Sequence, residues 1–141
     1  MKVTRILAAA AAALALALPA MAADEEIDTS AAMAATHEWL AHMDAARYGA
    51  AWESCAESFR KGIERMNWEI NAETARAPLG VHIARRLRSA SFTRTLPGAP
   101  EGEYVLVQFD ARFEKRPLAL ELVTIEREKD GSWRVAGYAI R

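Results

Sequence analysis

The chain has 141 residues with 18 Lys plus Arg against 19 Asp plus Glu, and 52% of its residues are hydrophobic. That length suits a single domain with one core, and the near-balanced charge argues against a nucleic-acid partner. Cys55 is the sole cysteine, so no intramolecular disulfide can form and the fold must stand on packing.

Lys2 and Arg5 precede an unbroken apolar run from Ile6 to Leu18. Such a run falls within the roughly 7 to 15 residues of a signal-peptide core and below the about 20 needed to span a bilayer. Pro19 breaks it, Ala20 and Ala22 supply small residues for a signal peptidase, and Asp24, Glu25 and Glu26 follow. The pattern predicts a signal peptide over residues 1–22 and cleavage before Ala23. No membrane anchor would then remain, and the mature domain, residues 23–141, would be periplasmic or secreted. Its net charge would be near −3, because Lys2 and Arg5 are lost.

The remainder divides into a helical half and a strand half. Ser30 is placed to cap a helix in which Met33, His37, Leu40, Met43, Arg47 and Tyr48 recur at three- to four-residue steps, widened by Trp39 and Ala46. Gly49 punctuates it. Trp52, Cys55, Ala56 and Phe59 mark a second helix up to Gly62, with Cys55 as a small buried apolar residue. Ile63, Met66, Trp68 and Ile70 mark a third, which Pro78 and Gly80 end.

From about Arg85 the period becomes two. Leu87, Ser89, Ser91 and Thr93 alternate with Arg88, Ala90, Phe92 and Arg94. After the turn cluster Pro97, Gly98, Pro100 and Gly102, a strand places Val105, Val107, Phe109, Ala111 and Phe113 on one face. Pro117 is expected to end it. Leu120 to Glu126 forms the next strand, and Asp130 with Gly131 turns the chain into Trp133 to Ile140. The class is α+β: three N-terminal helices on one face of an antiparallel sheet of about four strands.

Several matching stretches carry a resemblance: Trp39 and Leu40 with Asp44, Tyr48 and Trp52, Trp68, and Arg76 to Gly80. Two more are Leu96 to Tyr104 and Asp130 to Arg141. On these the mature domain resembles the bacterial domain of unknown function 4019 family. Glu121, Leu122 and Val123 stand where that family suggests a Glu-Thr-Val strand. The resemblance implies no established activity. The element order is also similar to the cone-shaped superfold of nuclear transport factor two and ketosteroid isomerase, which implies helices closing over a curved sheet and leaves function open.

No residue pattern selects a catalytic group, a cofactor or a metal. His37 and His42 are five apart, about 140° around a helix, so they share no face for a metal, and His82 lies elsewhere. Asp44 with Tyr48 or Tyr138 offers the parts of an isomerase- or hydratase-like proton transfer, although Asp44 reads as well as a helix-surface carboxylate. Arg85, Arg86, Arg88, Arg94, Arg112, Lys115 and Arg116 suggest either a basic strip or, with Glu114, Glu121, Glu126 and Glu128 interleaved, a solvated salt-bridged face. The latter is the expectation.

The tryptophans suit a core at their spacing. If the helices and sheet enclose a pocket, its lining is expected from Trp39, Tyr48, Trp52, Trp68, Phe109, Trp133 and Tyr138. The favoured reading is a non-enzymatic exported module binding a small ligand or a protein. The alternatives are an enzyme using a pocket carboxylate and an assembly protein associating through its sheet. The sequence leaves the oligomeric state open.

Overall fold

The first described helix, α1 (Ser30–Asp44), buries Ala32, Trp39, Leu40 and Met43 on one stripe. The structure, a computed structural model, describes residues 27–141. The expected signal peptide and its cleavage before Ala23 lie outside the described residues. No described helix is long and apolar enough to cross a membrane.

Three features of α1 differ from the sequence expectation. Ser30 is no cap; its backbone N–H donates to Asp28 Oδ1 at 2.9 Å. The helix stops at Asp44 rather than near Gly49, because Ala46 takes a φ of 56°. The Ala46 N–H then donates to Met43 O at 3.1 Å and the Arg47 N–H to His42 O at 2.9 Å. This is a Schellman ending with alanine where glycine is usual, a conformation that costs an L-residue about 1–2 kcal/mol.

The expected second helix is broken into α2 (Tyr48–Glu53) and α3 (Glu57–Gly62). Cys55 therefore lies in the connection between them. It is buried, and its thiol donates to Ala51 O at 3.2 Å. Burial pushes its pKa up to about 12, so it carries little thiolate character. Helix α4 (Arg65–Arg76) runs into a 3-10 turn, Ala77–Leu79, ended by Gly80 at φ 74°.

Six-residue helices are marginal alone. Here indole N–H groups tie them down by satisfying backbone carbonyls. Trp39 donates to Ala51 O at 3.0 Å, Trp52 to Ile63 O at 2.9 Å and Trp68 to Tyr48 O at 2.9 Å. The first two acceptors lie at the end of α2 and just beyond α3, where helical carbonyls lack intrahelical partners.

The strands β1 (His82–Thr93), β2 (Tyr104–Phe113), β3 (Arg116–Arg127) and β4 (Trp133–Ile140) form one antiparallel meander in the order 1-2-3-4. Val105, Val107, Phe109, Ala111 and Phe113 face the core, as their alternation predicts. Pro117 does not end a strand; it lies inside β3, and the reversal is made by Glu114 and Lys115.

A register shift between Leu87 and Ser89 also breaks the predicted alternation of β1. Leu87 pairs with Phe109, Ala90 with Val107 and Phe92 with Val105, so all three lie on the core-facing side, where Leu87 on this edge strand stays 49% exposed. The helices cover that side. The opposite sheet face carries Leu106, Leu118, Leu120 and Leu122, and Leu118 is 86% exposed.

Candidate functional site

Two features stand out where the helices meet the sheet: a buried ionic cluster and an apolar groove. Tyr138 belongs to both.

The cluster draws on every layer of the fold. Asp44 is the last residue of α1, where the negative end of the helix dipole disfavours a carboxylate. Arg76 ends α4, where the dipole favours a cation, and it is 4% exposed. Arg85 comes from β1, Glu121 from β3 and Tyr138 from β4. Glu121 occupies an inward position between Ala119 and Val123 and is 0% exposed.

Arg85 is the hub. It grips Asp44 with two bonds, Nη1 to Oδ2 at 2.7 Å and Nη2 to Oδ1 at 2.9 Å, and reaches Glu121 Oε1 from Nε at 2.8 Å. Arg76 Nη2 donates to Asp44 Oδ1 at 2.9 Å, and Arg76 Nη1 lies 4.0 Å from Glu121 Oε2. The Tyr138 hydroxyl donates to Glu121 Oε2 at 2.7 Å and accepts from Arg76 Nη1 at 3.4 Å. The Arg76 guanidinium also stacks 4.8 Å from the Phe113 ring centroid.

Two cations face two anions, so the cluster is neutral and its oxygens are largely satisfied. Burial opposes ionisation of Asp44, but the hydrogen bonds from Arg85 and Arg76 outweigh it and hold the carboxyl below its ordinary range. Burial and the Glu121 charge push the Tyr138 phenol upward, so it stays protonated as a donor. A general base would need a carboxylate free to take a proton near neutral pH. Asp44 is instead fixed as an ion.

His82 sits at the margin, its Nδ1 3.5 Å from Asp44 Oδ2, while its Nε2 is buried with no hydrogen-bond partner among the described residues. Burial, then the charge of Arg85, lowers its pKa below the ordinary 6.5. Both shifts point the same way in a stability profile. As pH falls below about 6.5 the unfolded chain takes up a proton at His82 before the folded chain does, so stability declines. Below about 4 the Asp44 contribution is lost as well, on the approach to its depressed folded pKa. Urea midpoints measured from pH 7.5 to 3 should fall over both intervals, and His82→Gln should remove the upper decline while leaving the lower.

The sequence places Arg85 and Glu121 on a solvated face and Asp44 on a helix surface. All three are drawn inward. Two neighbouring arginines do stay outside: Arg86 and Arg88 lie 3.5 Å and 3.4 Å from the Asp110 carboxylate with exposed side chains.

The groove lies between α3 and α4 on one side and β4 on the other. It encloses about 650 Å³ and is walled by Phe59, Ile63, Trp68, Ala72 and Ala75 opposite Tyr138 and Ile140. Of the seven residues expected to line a pocket, Trp68 and Tyr138 meet here. Trp39 and Phe109 are core residues, 2% and 1% exposed. Trp52 and Trp133 are half-buried against the same core, and Tyr48 borders a separate cleft with Arg65 and Glu69. Phe59, Ile63, Ala72, Ala75 and Ile140 complete the lining beyond the expected set. Their helical and strand spacing marks them as apolar, yet nothing local says that α4 stands off from β4.

A second cleft, of about 610 Å³, is bordered by charges of both signs from α3 and the β3–β4 turn. Several of these pair among themselves: Lys61 with Glu57 at 2.7 Å, Ser58 with Glu126 at 2.6 Å, and the Glu57 N–H with Glu128 at 2.8 Å. Among the described residues, no group of three or more His, Cys, Asp or Glu side chains is arranged to hold a metal ion.

No curated protein and no solved structure matches the chain. A family's sequence profile does match, over residues 35–138, which takes in α1 from its second turn, the whole ionic cluster and both walls of the groove up to Tyr138. The chain belongs to the family described as protein of unknown function, DUF4019.

Proposed function

We propose that the protein is an exported, non-enzymatic binding module that receives an apolar ligand or segment in the groove between α4 and β4. The observation that carries this reading is the groove itself: about 650 Å³, with an aromatic and aliphatic lining and few polar side chains. Sites for small ligands commonly enclose about 300–1,000 Å³ with such a lining. Export rests on the sequence pattern of residues 1–22.

The ionic cluster supports binding rather than chemistry. Its carboxylates are each held by arginine, and through the hydroxyl of Tyr138 it anchors β4 at the groove. In this reading the cluster fixes the wall and the groove does the binding.

Ala75 is exposed and lines the groove, so a larger side chain there fills the space without disturbing the core. Titration with 1-anilinonaphthalene-8-sulfonate should show saturable binding to the native protein. Ala75→Trp should weaken it by about tenfold or more, equivalent to about 1.4 kcal/mol, with an unchanged near-ultraviolet circular dichroism spectrum apart from the added indole. Equal binding by both proteins would reject the groove as the site.

A further inference from the structure

We infer that the occupant of the groove is an extended peptide that adds to β4 as a fifth strand; this rests on the groove being the binding site. The argument comes from where the backbone groups of β4 point. In an antiparallel ladder, residues alternate between those bonded to the neighbouring strand and those whose N–H and C=O point away from it. Arg141 and Leu120 exchange both bonds, at 2.9 and 3.0 Å, which sets the phase at one end. Counting back, Ala139 bonds Leu122 and Gly137 bonds Thr124, so Ile140, opposite Glu121, and Tyr138, opposite Val123, present their backbone groups to the free edge.

On β3 the other end gives the same phase independently, and on β4 the register shift between Thr124 and Ile125 moves the outward set to odd-numbered residues. Glu128 and Ser132 are bonded at 2.7 Å, so Val135, opposite Ile125, also points outward. That outward group is already used: the Ala56 N–H donates to Val135 O at 2.8 Å. Ala56 has an extended backbone, φ −57° and ψ 151°. The chain's own α2–α3 connection thus begins an edge pairing on β4 and then turns away into α3. Beyond it, the outward groups of Tyr138 and Ile140 have no partner among the described residues, and they stand at the rim of the groove.

The two edges of the sheet are treated differently. β1 carries two register shifts and the exposed Arg86 and Arg88, devices that discourage strand addition. The final stretch of β4, Gly137 to Ile140, has no charge, no proline and no further register shift. An added strand would place alternate side chains between β4 and α4, against Phe59, Ile63, Trp68 and Ala72. Those side chains should be aliphatic, since the lining offers no charge to pair with.

The test begins with a phage-displayed library of random nonapeptides selected on residues 23–141, followed by synthesis of an enriched peptide. The enriched set should carry aliphatic residues at alternate positions. Bound peptide should slow hydrogen exchange at the Tyr138 and Ile140 amides. N-methylation of the peptide amides facing β4 should weaken binding by about five- to tenfold per bond, and the other alternate set should be tolerated.

Ile140→Pro removes an outward donor without touching the β3 ladder, and it should weaken the peptide more than Ile140→Ala, which trims the same side chain and keeps that donor. Peptide binding without slowed exchange, or with equal tolerance of both N-methylated sets, would overturn strand addition. Failure to enrich any peptide while the probe still binds would do the same and leave the groove reading standing. If the probe also fails to bind, the groove reading falls with it.

Discussion

Replacing Arg85 with methionine should lower the free energy of unfolding by about 3–5 kcal/mol, because it leaves charged carboxylates without their principal partner in a low-dielectric site. Arg85 makes two bonds to Asp44 and the closest ionic contact to Glu121, which is wholly buried. Arg76 remains, but its Nη1 is 4.0 Å from Glu121 Oε2 and cannot replace a 2.8 Å bond. For a domain of this size the loss corresponds to a fall in melting temperature of roughly 10 °C or more.

The double replacement Arg85→Met with Glu121→Leu should recover much of that loss, since removing both partners leaves no orphaned buried charge on β3. Tyr138 would lose its acceptor in that double variant. The groove wall should loosen, and probe binding should fall even where stability returns. Urea unfolding of the two variants beside the native protein checks the energetic claim. An Arg85→Met protein within about 1 kcal/mol of the native one would show that the cluster adds little to stability.

Trp39→Ala should be nearly as costly, at about 3–5 kcal/mol for emptying a buried aromatic site. The ring packs 5.1 Å from Tyr138 and 6.0 Å from Trp68 between centroids, so it joins α1 to β4 and α4. Its N–H also satisfies the Ala51 carbonyl at the end of α2. Trp39→Phe separates the two roles. It keeps most of the apolar volume but leaves that carbonyl with only the Ser54 hydroxyl and the Cys55 thiol as donors, at 3.0 and 3.2 Å. A cost of about 1–2 kcal/mol is expected. Thermal unfolding of both variants checks this ordering, and an alanine variant no worse than the phenylalanine one would show that the site collapses around the deletion.

The distribution of these effects follows what could and could not be read along the chain. The β2 alternation from Val105 to Phe113 was legible because one sheet face is buried and a two-residue period leaves no other register. On β3 both alternating sets are largely apolar: Ala119, Val123 and Ile125 on one side, Leu118, Leu120 and Leu122 on the other. No pattern there revealed which side would be buried, so the inward turn of Glu121 stayed hidden. The end of α1 at Ala46 was equally silent, because an alanine at positive φ has no sequence signature. Arg88 looks like any strand residue, yet the register shift beside it exchanges the two faces of β1, so that Leu87 and Phe92 fall on one face.

Local periodicity was thus sufficient for the α+β class, the strand order along the chain and a core drawn from β2. These depend on near-neighbour spacing and on the burial of one face. The ionic cluster is different in kind: Asp44, Arg76, Arg85, Glu121 and Tyr138 are separated by up to 94 positions and come from five elements. Only the packing of α1 and α4 across β1, β3 and β4 brings their charges together, and only the register of β4 against β3 decides which backbone groups face the groove. Charge pairing at such separations is set by chain topology, which no short-range spacing encodes.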